Sequence, residues 1–165
     1  MKKQYLIIGI VILIIVIGGI VMACVKSNKS TNEKYSKGIH HAEIVIKDYG
    51  TIKLELDADT APITVANFAK LAEEGFYNGL TFHRIISGFM IQGGDPNGNG
   101  TGGSKESIKG EFLANGVKNT ISHTRGTISM ARSSAYDSAS SQFFIMHEDN
   151  AGLDGLYAAF GKVTS

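Results

Sequence analysis

Beyond residue 38 the chain keeps its apolar runs short, and this limits the folds open to it. His41–Lys47 alternates, with Ala42, Ile44 and Ile46 on one face. Asp48-Tyr49-Gly50 supplies a turn, and Thr51–Leu56 alternates again, with Ile52, Leu54 and Leu56 opposite Lys53 and Glu55. Two period-2 runs across a glycine-containing turn make a hairpin. Phe82–Ile86, Phe89–Gln92, Thr127–Ala131, Gln142–Met146 and Tyr157–Gly161 are further short runs between Gly, Ser and Asn turns. Glycine fills 20 of 165 positions and proline only two, so tight turns outnumber stiff linkers. One stretch is helical: Thr60-Ala61-Pro62 forms an entry, and Val65, Phe68, Ala69, Ala72 and Phe76 follow with helical spacing up to the stop at Gly75. Many short strands and one clear helix predict a mainly β domain, a closed barrel or a sandwich.

The N-terminus belongs to a different environment. Lys2 and Lys3 precede a run from Gln4 to Val25 that carries no charge and is almost wholly Ile, Val, Leu and Gly between Leu6 and Val21. At 1.5 Å per residue such a run can cross a bilayer core of roughly 30 Å. It closes with Val21-Met22-Ala23-Cys24, which resembles the bacterial lipoprotein signal. That resemblance implies removal of residues 1–23 and lipidation of Cys24, the chain's only cysteine. Met22 is bulkier than the pattern usually shows. The other reading is an uncleaved signal anchor with an incidental Cys24. Both place the rest of the chain outside the cytoplasmic membrane, with Lys2 and Lys3 inside. The expected location is therefore the cell membrane, lipid-anchored on its extracytoplasmic face. Residues 24–37 are polar, have no hydrophobic period and carry four Lys against one Glu, and read as a flexible linker.

Charge and cysteine count exclude several functions. The formal net charge of the whole chain is +1, and residues 38–165 hold ten basic and fourteen acidic residues, a net of −4. No basic excess points to nucleic acid. One cysteine leaves no intramolecular disulfide or cysteine-cluster zinc site, and the five His show no zinc spacing. Gly98-Asn99-Gly100-Thr101-Gly102-Gly103 satisfies G-x-G-x-x-G, but no helical period follows it and no acid stands about 20 residues on. It reads instead as a mobile glycine-rich loop. No G-x-S-x-G elbow is present, and no metal or cofactor is expected.

One constellation is specific. Phe82–Pro96 reads FHRIISGFMIQGGDP. GTISMAR follows at Gly126–Arg132, SQFFI at Ser141–Ile145 and LDGLYAAFGKV at Leu153–Val163. In this order and spacing, with APITVANFAKL and FYNGLTFHR before them, these blocks resemble the cyclophilins, the peptidyl-prolyl cis-trans isomerases. The resemblance runs from about Ala42 to Thr164. It implies a closed antiparallel eight-stranded β-barrel capped by two helices, over residues 38–165. Members usually continue past FGKV with another helix and a closing strand, so the C-terminal helix and last strand are expected to be missing from this chain.

The chemistry needs little machinery. Rotation about a peptide bond crosses a barrier of roughly 18–20 kcal/mol. X-Pro bonds populate both isomers but interconvert in tens to hundreds of seconds unaided. An apolar pocket for the proline ring and one donor favouring the twisted amide are enough. The resemblance makes Arg84 that donor, bonding the prolyl carbonyl and approaching the prolyl nitrogen as it becomes pyramidal, with Gln92 holding Arg84 and the carbonyl. It implies that Phe89, Met90, Phe144 and Leu153 line the proline pocket. Gln142 and the backbone at Ala131 and Arg132 would bind the extended peptide, and His83 and Phe82 would support the core.

This chain departs from the family pattern at three places. Arg132 stands where Asn is usual. Gly152 stands where many eukaryotic members have Trp, whose ring and indole N–H the resemblance assigns to cyclosporin binding. Tyr157 replaces a frequent His and keeps a hydroxyl for hydrogen bonding. The expected function is prolyl isomerisation on unfolded or partly folded, proline-containing exported proteins. The alternative is a proline-peptide-binding module or holdase chaperone on the same fold, which could lose Arg84 without penalty.

Overall fold

The computed structural model describes residues 33–165. The apolar run, Cys24 and most of the expected linker lie outside the described residues. Seven antiparallel strands form one sheet: β1 (Ile39–Ile46), β2 (Gly50–Asp57), β3 (Arg84–Ile86), β4 (Met90–Gly93), β5 (Thr127–Met130), β6 (Phe143–Met146) and β7 (Ala159–Val163). Their order across the sheet is β1-β2-β7-β5-β6-β4-β3. β1 and β2 form the hairpin expected from their alternation, in register from Ile39↔Asp57 to Ile46↔Gly50. Asp48 takes φ +65° in its turn, a conformation open to Asp.

The described residues form seven strands, in line with the expectation that the last strand of an eight-stranded barrel is not among them. Among the described residues the sheet is open, because β1 and β3 each pair on one side only and not with each other. Two unpaired edges are what closure would remove. The C-terminal helix is likewise not among them, as expected: α1 (Pro62–Glu73) is the one complete α-helix of the described residues. It ends at the expected stop, with Glu74 as its last half-helical residue. The N–H of Glu74 bonds to the Lys70 carbonyl, and Gly75 takes φ +71° to turn the chain.

Alternation sorts the central strands into two faces. Ile91, Met130, Ile128, Phe143 and Ile145 join the main core with Leu54, Leu56 and Phe160. Phe68 of α1 seals it, packing on Phe143 and Phe160 at ring separations of 5.5 and 5.4 Å. The intervening residues point the other way, where Met90, Phe144 and Met146 make a second buried cluster. Every residue of β5 and β6 is buried, so loops cover this second face too. Gly161 is needed where β7 crosses β2: a Cβ there would run into the Glu55 carbonyl.

α1 starts without a side-chain cap of its own, since Ala61 offers none. The buried Glu111 supplies it from 48 residues away. Its carboxylate accepts from the N–H of Ile63 (3.0 Å), the N–H of Thr64 (2.8 Å) and the Thr64 hydroxyl (2.7 Å). Negative charge there also suits the helix dipole. Glu111→Ala leaves two helix N–H groups unsatisfied in a buried place and should cost about 2–4 kcal/mol of stability. Urea unfolding checks this, and Glu111→Gln, which keeps one acceptor oxygen, should recover part of the loss.

The end of the expected linker is docked rather than free. Glu73 on α1 accepts from Lys34 Nζ at 2.7 Å and from the Tyr35 hydroxyl at 2.6 Å, and Tyr35 packs edge-on to His40. The folded unit therefore includes Lys34 and Tyr35.

Candidate active site

Strand register builds the site. Arg84 on β3 pairs with Gln92 on β4, Gln92 with Phe144 on β6, and Phe144 with Ser129 on β5. Residues directly opposite in antiparallel strands share a face, so one row runs Arg84–Gln92–Phe144–Ser129. The next row of that face pairs Ile86 with Met90 and Met90 with Met146. A cationic fork thus stands at the sheet edge beside an apolar floor.

Arg84 is exposed, and its Nη1 donates to Gln92 Oε1 at 3.3 Å. Gln92 is fixed from behind: its Nε2 donates to Gln142 Oε1 at 2.8 Å. Gln142 Nε2 in turn donates to the carbonyls of Gly102 (2.7 Å) and Gly100 (3.1 Å). Those carbonyls belong to the glycine-rich loop expected to be mobile. The structure shows it organised on the buried carboxylate of Asp95, which accepts the N–H groups of Asn97, Asn99 and Gly100. Burial pushes the Asp95 carboxyl up, but these backbone N–H groups outweigh it and hold the group below the usual carboxylate range. Gly94 must be glycine for this turn: its φ is +82°, and a Cβ would run into the Ser141 carbonyl.

The apolar floor is Met90, Phe144 and Met146, walled by Phe89, Ala131, Leu153 and Tyr157. Tyr157 meets Phe144 edge-on at 5.8 Å. On its other side Phe144 stacks against His123, 5.9 Å away and tilted by 17°. The His123 side chain is fully buried and lies between Asp154 Oδ1 (2.9 Å from Nδ1) and Ser129 Oγ (3.0 Å from Nε2). Burial lowers the His123 pKa against the opposing pull of Asp154. A neutral ring with Nδ1–H facing the carboxylate leaves Nε2 to accept from Ser129.

Apart from Cys24, the residues expected to touch the substrate come together at one end of the sheet. Phe89, Met90, Phe144, Leu153 and Tyr157 form one apolar cluster. Gln92, Ala131, Arg132 and Gln142 line the adjoining cleft of about 410 Å³, together with Gly102 and Ser140. The Ala131 N–H is already bonded to the Gln142 carbonyl. The N–H and carbonyl of Arg132 have no partner among the described residues, so they are the main-chain groups open to a peptide. Phe82 packs on the main core as expected. Both ring nitrogens of His83 are buried without a partner, which a simple core role does not explain. Sequence reasoning missed Met146, His123, Ser129, Asp95 and Asp154. Met146 was legible, lying two residues beyond Phe144 on the same strand face.

Comparison with known proteins agrees with this geometry. The family pattern described as "Cyclophilin type peptidyl-prolyl cis-trans isomerase/CLD" matches residues 41–165. Peptidyl-prolyl cis-trans isomerase B of Bacillus subtilis is 50% identical over 121 residues, covering 73% of this chain and 81% of that protein. A peptidyl-prolyl cis-trans isomerase of Helicobacter pylori strain J99 is 52% identical over 116 residues, covering 70% and 68%. A crystal structure of a Cryptosporidium parvum cyclophilin-type isomerase superposes with a TM-score of 0.70 at 33% identity, covering 78% of this chain and 79% of that one. The same protein crystallised in the presence of the dipeptide Ala-Pro gives 0.69 at 34% identity. A match from residue 41 to 165, and half of the aligned residues shared with an isomerase over four-fifths of its length, place the chain in a family: it belongs to the cyclophilin-type peptidyl-prolyl cis-trans isomerases.

Proposed function

We propose that this chain accelerates X-Pro rotation in proline-containing polypeptides emerging on the outer side of the cytoplasmic membrane, held there by lipid on Cys24. The observation that carries the isomerase reading is the row Arg84–Gln92–Phe144. It sets a guanidinium with free N–H groups beside an apolar surface of Phe144 and Met90. The proline ring would rest on Phe144 and Met90, and Arg84 would bond the prolyl carbonyl and nitrogen. As the amide twists, its nitrogen regains a lone pair, and a donor already aimed there stabilises the twisted state more than the planar one. No nucleophile, metal or cofactor enters this scheme. Gln92, held by Gln142, would keep the fork oriented, and the open N–H and carbonyl of Arg132 would align the peptide as an added strand.

The exported setting rests on the sequence: the uncharged run, the Val21–Cys24 pattern and the polar linker. One acyl chain anchors marginally, whereas two or three anchor stably at about 0.8 kcal/mol per buried CH₂. Cys24→Ser should leave a larger, unlipidated precursor, seen by mass spectrometry of the membrane fraction. An intact Met1 and no lipid on the wild-type chain would establish the uncleaved anchor instead. A protease-coupled proline-isomerisation assay tests the activity itself. Peptide binding without acceleration would make the protein a binding module.

A further inference from the structure

The side chain of Arg132 has no carboxylate partner among the described residues, yet it is not idle. Its Nε and Nη2 both donate to the Leu156 carbonyl, at 3.1 and 2.9 Å, and its Nη1 donates to the Ser133 carbonyl at 2.9 Å. The guanidinium lies 4.6 Å from the Tyr157 ring centre, 5.1 Å from that of Tyr136 and 5.2 Å from that of Phe112. Tyr157 is the wall of the proline pocket, edge-on to Phe144. On the far side of Arg132 three large apolar residues stand exposed: Leu113 at 68%, Tyr136 at 42% and Leu156 at 41%. They are joined structurally. The Ala114 N–H bonds to the Gly155 carbonyl, and Tyr136 packs edge-on to Phe112 at 5.3 Å.

We propose that Arg132 is a positioning residue that locks Tyr157 as a pocket wall and builds from Leu156, Tyr136 and Leu113 an apolar shelf for a non-polar side chain near the substrate proline. The inference rests on the isomerase reading and adds to it a substrate class: proline peptides with a Leu- or Phe-like neighbour. Three physical points support it. The guanidinium is planar and weakly hydrated, so it can stack on several rings at once while its edges satisfy carbonyls. Three of its five N–H groups are turned to the Leu156 and Ser133 carbonyls, so most of its donors point away from the shelf residues' side chains. The shelf begins one ring away from Phe144, and an extended peptide advances about 3.3 Å per residue, so residues one to three places from the proline reach it.

The test uses the full chain and a peptide set with a constant X-Pro bond, placing Leu, Ala or Glu one to three places from the proline on either side. Isomerisation is followed by NMR exchange. In the wild type, Leu at one of these places should raise kcat/KM about fivefold to thirtyfold over Ala, with Glu no better than Ala. Arg132→Lys keeps the charge but not the flat fork, and should erase most of that preference, with the loss in KM rather than kcat. Leu156→Ser, an exposed change that leaves Arg132 in place, should bring the Leu peptide down to the Ala value. Equal rates for Leu, Ala and Glu in the wild type would overturn the shelf, as would a preference for Glu, which would make Arg132 a charge receptor. Retention of the Leu preference in both variants would overturn it as well. Absence of isomerisation on every peptide would instead overturn the underlying activity.

Discussion

Arg84→Ala is expected to lower kcat/KM by about 30- to 1,000-fold while weakening peptide affinity by about threefold or less. The asymmetry follows from when the bond forms. In the planar ground state the prolyl nitrogen has no free lone pair. In the twisted state that lone pair would appear opposite the guanidinium. A charge-assisted bond present mainly at that point contributes about 2–4 kcal/mol to the barrier alone. Fold loss is a poor rival explanation, because Arg84 is exposed and its one side-chain bond in the protein is the 3.3 Å contact to Gln92. NMR exchange at saturating peptide, with affinity from titration, separates the two quantities. Equal losses in binding and turnover would show that Arg84 only holds the ground state.

The strands were legible because side-chain alternation is a local property. Thr51–Leu56 shows its buried face in the sequence, and the structure pairs it with β1 over eight positions. The row that forms the site was legible only as members. Arg84 and Gln92 are eight residues apart, and a hairpin register places them opposite each other. Gln142 is a further 50 residues away, and no spacing rule brings it to Gln92. Motif resemblance supplied that link, and it did so for the family's ligand-facing residues only. It passed over Asp95, which orders the glycine-rich loop, and His123, which backs Phe144. Such residues act through neighbours, and their signal is the three-dimensional contact itself. Glu111 is the same case in the scaffold: a buried carboxylate in a strandless segment, with its reason 47 residues earlier at Thr64. The open sheet was legible from a different source. Closure depends on whether the two outermost strands find partners; alternation within strands carries no information about that, whereas the order of the family-like blocks did.

Cyclosporin is expected to bind this protein about 70- to 1,000-fold more weakly than it binds family members that carry Trp at the position of Gly152. The family resemblance assigns to that Trp an indole N–H donor and a ring against the ligand. Gly152 supplies neither. It sits in the short turn Ala151–Leu153, and the next residue, Leu153, is a wall of the proline pocket. A lost hydrogen bond of about 1 kcal/mol and lost apolar burial of about 1.5–3 kcal/mol give that range. Small substrates need only Arg84 and the floor of Phe89, Met90 and Phe144, so turnover should be far less affected than inhibition. The turn can take the larger residue. A Cβ at Gly152 would lie 3.1 Å from Asn150 Oδ1, the side-chain oxygen that accepts the Gly152 N–H, so a small shift of one half-buried side chain makes room. Titration of cyclosporin into wild type and Gly152→Trp, with a small X-Pro peptide assayed in parallel, reads the effect. Tighter binding in the variant with little change in peptide turnover is the expected result. Wild-type affinity equal to that of Trp-bearing members, or no gain from the substitution, would place the inhibitor's main contacts elsewhere on the pocket wall.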